Sequence, residues 1–121
     1  MPHVDGDPRA LHPGVAETYA FVRDNVLEDG VVDQSVKELC YRYLADDPEV
    51  TDLTRFDGRE RAALEWTHAI AWDSDAATDE LWERLHAHFS EPELVDLGCA
   101  VGFELGQRNF MRTLGHQGRL I

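Results

Sequence analysis

Residues 90–115 read SEPELVDLGCAVGFELGQRNFMRTLG, a stretch that carries both ends of a long helix and a row of glycines along it. Ser90 and Glu93 form a capping-box signature, Pro92 suits the first turn, and Gly115 stands just past Leu114 as a C-terminal stop. Gly98, Gly102 and Gly106 recur every four residues and therefore share one face. Inside a helix each costs about 1 kcal/mol relative to alanine. Close approach of another backbone would offset that cost. The row therefore predicts a tightly packed helical protein, with part of this face at a subunit contact.

Upstream, the same periodicity continues. A fourth helix over about 76–89 buries Leu81, Trp82, Leu85 and Phe89, after a break at Asp73, Ser74 and Asp75. A third starts at the cap signature Asp57 and Glu60 and runs to about Trp72, with Ala62, Trp66, Ala69 and Ile70 on its apolar face. The segment Asp46, Asp47, Pro48, Glu49 ends a second helix, because proline cannot continue the hydrogen-bond ladder. That second helix is capped by Asp33 and aligns Val36, Leu39, Cys40 and Tyr43 at i, i+3, i+4 and i+7. A first helix spans about Pro13 to Leu27, with Val15, Tyr19, Val22 and Val26 on one stripe and Gly30 beyond its end. Residues 1–12 have turn chemistry without periodicity and read as a flexible arm, leaving 13–121 as one domain. No segment alternates as a strand does and no internal repeat is present. The expected class is all-α, a compact bundle of about five helices with short connections.

The chain has 121 residues, 43% apolar and 29% charged, the balance of a globular domain with a real core. Its formal charge of −13 repels phosphate backbones and anionic lipid, so nucleic acid and membrane are not expected as partners. No leader-like or membrane-length apolar run occurs, and a cytoplasmic location is the expectation. Cys40 and Cys99 form neither a CxxC pair nor a zinc spacing.

The block RERAALEWTHAIAWDSDAATDELWERLHAHFSEPELVDLGCAVGFELGQRNFMRTLG, residues 59–115, resembles the C-terminal half of the carboxymuconolactone decarboxylase and alkyl hydroperoxidase D-like (AhpD-like) family. The similarity lies in Glu60 to Leu64, Phe89 and Ser90, Glu93 to Val95, Leu97, Gly102, and Phe110 through Gly115. Lys37, Glu38 and Leu39 are similar to the start of the family's preceding helix. The resemblance implies an all-helical homo-oligomer without structural disulfides. Redox members reduce peroxides with a CxxC pair served by an upstream glutamate and a following histidine. This chain departs from that pattern: no second cysteine accompanies Cys40, no histidine follows before His68, and only 20 residues separate Glu38 from Arg59. A non-redox oligomeric binding or scaffold protein is the primary expectation.

The alternative is an enzyme with residual peroxidase-like or acid–base, decarboxylase-type activity, in which His68 is the base, Glu38 the relay and Cys40 the thiol. His68 falls in the line Leu64, His68, Trp72, with Glu65 as a possible orienting partner. Cys40 lies on an apolar stripe, where a thiol is inert. Glu38 and Arg42 are spaced as an exposed ion pair. No metal or other cofactor is expected: His86 and His88 diverge on their helix, and His3, Asp5 and Asp7 lack an EF-hand continuation. A small-molecule ligand remains open.

Overall fold

The computed structural model describes residues 6–115. Five α-helices occur among them: α1 (Pro13–Val22), α2 (Gln34–Leu44), α3 (Gly58–Trp72), α4 (Asp79–His88) and α5 (Glu91–Thr113). The described residues contain no strand, as the periodicity predicts, and none of their helices is long and apolar enough to cross a membrane.

Helix α3 packs against α2, α4 and α5. Its inward positions include Ala62, Ala63 and Ala69, whose short side chains let neighbouring helices come close. The stripe Val36, Leu39, Cys40 and Tyr43 is buried as the spacing predicts, against Leu64, Leu81, Leu85, Phe89, Leu97 and Val101. A smaller second cluster joins Tyr19 of α1 and Leu27 to Tyr41 of α2 and Ala100 of α5.

The capping box at Ser90 forms, with the Ser90 amide donating to Glu93 Oε1 at 2.9 Å and the Glu93 amide to Ser90 Oγ at 3.3 Å. Helix α4 begins three residues later than the sequence suggests, because the Thr78 hydroxyl accepts the Leu81 amide and Ser74–Ala76 closes a separate 3-10 turn. Asp33 and Asp57 occupy N-cap positions without capping through their side chains. The Asp33 carboxylate instead accepts a hydrogen bond from Arg59 at 3.0 Å.

The glycine row divides. A Cβ on Gly98 would lie 2.8 Å from the Trp66 ring, so the close approach expected there is real, though the partner is an indole and not a backbone. Gly102 and Gly106 are exposed, and a Cβ at either meets nothing within 4 Å. Within one chain, two of the three glycines therefore pack against no neighbour.

The first helix does not run uniformly to Leu27. After Val22 it widens into a π-helical turn, Arg23–Leu27, which leaves carbonyls at its end without helical donors. Side chains from one face of α2 take them: Gln34 Nε2 and Tyr41 Oη both donate to the Leu27 carbonyl at 2.9 Å, and Lys37 Nζ donates to the carbonyls of Val26 and Glu28. Lys37 is fully buried, and its charge is matched by Asp96 of α5 at 2.9 Å. Asp96 Oδ2 also accepts the amides of Val31 at 2.7 Å and Val32 at 2.9 Å. A Cβ on Gly30 would fall 2.5 Å from Asp96 Oδ2 and 2.6 Å from Lys37 Nζ, so only glycine fits between them.

Part of the N-terminal arm is among the described residues. Pro8–Leu11 forms a 3-10 turn, and the Arg9 guanidinium sits 3.3 Å over the Tyr19 ring and donates to Gln107 at 3.1 Å. His3 and Asp5 lie outside the described residues, as do residues 116–121 of the expected domain.

Burial alone pushes the Asp96 carboxyl up, but the hydrogen bonds from Lys37 and from the Val32 and Val31 amides outweigh it and hold it below its ordinary value. A depressed carboxyl contributes stability above its unfolded value of about 3.9, and that contribution is lost as pH falls through the folded value. Lys37→Met leaves Asp96 with no cationic partner and is predicted to cost about 3–5 kcal/mol in urea unfolding at neutral pH. Asp96→Asn is predicted to be destabilised at pH 7, with the gap to wild type closing in acid. A Lys37→Met midpoint equal to wild type refutes the role of the Lys37–Asp96 pair.

Candidate functional site

Helix α2 carries two of the three candidate side chains and α3 the third, so their placement follows from how those helices meet. Cys40 points into the α2–α3 contact and is wholly buried, with its sulfur 3.8 Å from the Ala63 carbonyl. Burial pushes its thiol up to about 12, and the hydrogen bond with Thr67 lowers it without offsetting that effect. A thiol held this far above neutrality supplies essentially no thiolate. Cys99 is exposed on α5, so the two sulfurs do not form a pair.

Glu38 is half-buried and accepts a hydrogen bond from Gln34 Nε2 at 3.2 Å, the amide that also serves the Leu27 carbonyl. It thus belongs with the α2 face that terminates the π turn. Arg42, its expected partner at i+4, pairs with Asp47 at 2.7 Å and Glu49 at 3.0 Å.

His68 is half-buried, and its Nδ1 lies 2.8 Å from the hydroxyl of Tyr43, one turn beyond Cys40 on α2. Burial, followed by the charge of Asp46, raises the Tyr43 phenol above its ordinary value. The phenol keeps its proton, and which of the two groups donates in this hydrogen bond follows the imidazole tautomer. Trp72 completes an aromatic group, its ring centroid 5.7 Å from both Tyr43 and His68. Glu65 does not orient His68; its carboxylate pairs with Arg84 of α4 and lies 3.7 Å from Arg61.

The histidine opens onto a cleft of about 370 Å³ between α3 and the start of α4, lined by Leu53, Glu65, His68, Thr78, Glu80 and Arg84 among others. Two carboxylates, a guanidinium, a hydroxyl and an imidazole border it, so the cleft suits a small polar ligand with both donors and acceptors. Cys40 and Glu38 are not among its lining residues. The structure therefore gives each of Glu38, Cys40 and His68 a different set of partners. Three residues that contact His68 or line its cleft were not singled out from sequence: Tyr43 reads there as core, and Thr78 and Arg84 come from the N-cap and body of a different helix, α4.

Among the described residues, no group of three or more His, Cys, Asp or Glu side chains is placed to hold a metal ion. Comparison with protein-family models, curated proteins and solved structures gives no match to this chain.

Tyr43→Phe removes the phenol that holds Nδ1 and is predicted to cost about 0.5–1.5 kcal/mol, read as a lowered urea midpoint. Cys40 is predicted to resist iodoacetamide in the native protein and to be alkylated after denaturation. Modification of Cys40 under native conditions, seen by peptide mass spectrometry, contradicts the burial described.

Proposed function

We propose that this protein is a cytoplasmic, non-redox relative of the carboxymuconolactone decarboxylase and AhpD-like proteins, a self-associating binding protein whose small-molecule ligand occupies the His68 cleft. The observation that carries this reading is the separation of sulfur from the cleft. Peroxide reduction requires an accessible thiolate and a second thiol to resolve the sulfenic acid. Here one thiol is sealed between α2 and α3 and the other faces outward on α5. The polar cleft supplies recognition without that chemistry, through the Arg84 and Glu65 pair and the Nε2 side of His68.

A second reading is favoured by one feature, the Tyr43–His68 hydrogen bond at the cleft wall. A histidine fixed through Nδ1 presents Nε2 for proton transfer, the arrangement that acid–base catalysis uses. In this reading His68 is the base and Tyr43 its positioning residue; Glu38 and Cys40 fall outside the cleft and take no part.

Steady-state peroxide consumption with a dithiol reductant tests the first reading against residual redox activity. Wild type and Cys40→Ser are predicted to be equally inactive, and cysteine-dependent turnover overturns the proposal. Titration with a panel of small carboxylates and lactones, followed by amide NMR, tests the cleft. Shifts are expected around His68, Thr78 and Arg84 and are lost in His68→Ala; turnover of a panel member by wild type but not by His68→Ala selects the second reading.

A further inference from the structure

Helix α5 is the longest element of the fold, and its outer face lacks the charge that covers the rest of the chain. Between Leu94 and Phe110 its exposed residues are Val95, Cys99, Gly102, Gly106, Asn109 and Phe110, none of them Asp, Glu, Lys or Arg. In a chain that is 29% charged with a net charge of −13, an uncharged exposed stripe of this length asks for a partner surface. Val95, Cys99, Gly102 and Gly106 follow at intervals of four, three and four, the alternation of a helix–helix seam. Val95 is 66% exposed and Phe110 48% exposed, one at each end of the stripe.

The stripe is complementary to itself. Beside Val95 lies a mainly apolar cleft of about 560 Å³, lined by Val26, Val31, Pro92, Val95 and Cys99, with Glu91 and Asp96 at its border. Gly102 stands midway, about 10 Å along the axis from Val95 and about 12 Å from Phe110. At about 100° per residue, Phe110 and Pro92 fall on the same side of the line through Val95, while Glu91 and Arg112 fall on the other. A two-fold axis relating antiparallel helices keeps like sides together. It therefore sets Phe110 of one copy over the cleft beside Pro92 of the next, and Arg112 over Glu91, each contact made twice. Glu91 is exposed, with its carboxylate 4.0 Å from His86 Nε2, and Arg112 is exposed too, so both face a second chain laid along the helix. Gly102 then falls on the axis, where the open space above it lets two backbones approach.

We infer that two copies of this chain associate through antiparallel α5 helices centred on Gly102, with Phe110 of each filling the Val26–Val31–Pro92 cleft of the other. The inference rests on the self-association proposed above and adds its surface and register.

Sedimentation equilibrium of the full chain over a concentration series tests it. Wild type is expected to show a monomer–dimer equilibrium, and Gly102→Glu, which sets like charges together on the axis, to weaken it tenfold or more while circular dichroism and melting confirm a folded chain. Phe110→Ala is the second variant and is expected to weaken the dimer likewise. Arg112→Glu weakens association, and pairing it with Glu91→Arg restores it. Cys99→Ser combined with Gly102→Cys is expected to yield a disulfide-linked dimer on oxidation. An oligomer indifferent to both Gly102→Glu and Phe110→Ala, or a trimer, overturns the α5 seam but leaves self-association standing. A wild-type chain that stays monomeric at its highest soluble concentration overturns both.

Discussion

The buried Lys37–Asp96 pair is the constraint on which the arrangement of the other helices depends. An ammonium group with no solvent access requires compensation of its charge and of its hydrogen-bonding capacity. Asp96 supplies the charge, and the Val26 and Glu28 carbonyls take further hydrogen bonds. Satisfying one lysine thereby fixes where the π turn ends, how α2 lies beneath it and at what rotation α5 presents Asp96. The loop from Gly30 to Val32 is folded onto the same carboxylate, and Gly30 is the residue whose missing side chain makes room. The apolar core supplies most of the burial, but it does not by itself select among rotations of α2 and α5. Directional bonds to a buried charge do.

The same helix contacts explain why the thiol and the histidine serve separate ends. Cys40 lies within the α2–α3 contact, its sulfur against the Ala63 carbonyl and wholly buried. Tyr43, one turn later, is already at the edge of that contact, and its hydroxyl reaches outward to His68. A single turn of α2 thus separates a sealed thiol from a solvent-facing imidazole. The polar side chains that border the cleft stand at the margin of the α2–α3 contact and on the rim that α4 adds.

Much of the fold was legible in the sequence because apolar spacing acts locally. The α2 stripe, the buried side of α4 and the capping box at Ser90 each depend on residues within about two turns of one another, and each appears as read except that Trp82 of α4 is only partly buried. What was not legible depends on residues far apart in sequence. Lys37 looks like an ordinary helix-surface lysine until α5 brings Asp96 to it across 59 positions. Asp33 has the composition of a cap yet turns to Arg59, and Glu65 has the spacing to serve His68 yet turns to Arg84. For the candidate site, His68 was identifiable from its place in an apolar line, whereas Tyr43 and Arg84 were not, since nothing in either helix alone marks which side chains will meet across the contact. The glycine row was visible but ambiguous: an identical spacing yields a packed position at Gly98 and open ones at Gly102 and Gly106.

The π turn at Arg23–Leu27 gives the N-terminal helix a distinctive mode of attachment. Its end is held by polar atoms from three side chains of α2, with a small aromatic and aliphatic cluster beneath, in place of a broad apolar seam. Short-range directional bonds fail together once their geometry is lost, whereas apolar area is surrendered gradually as surfaces slide. The hold on the end of residues 13–27 therefore depends on the position of α2 itself, since a shift of that helix moves all three donors away from the carbonyls at once.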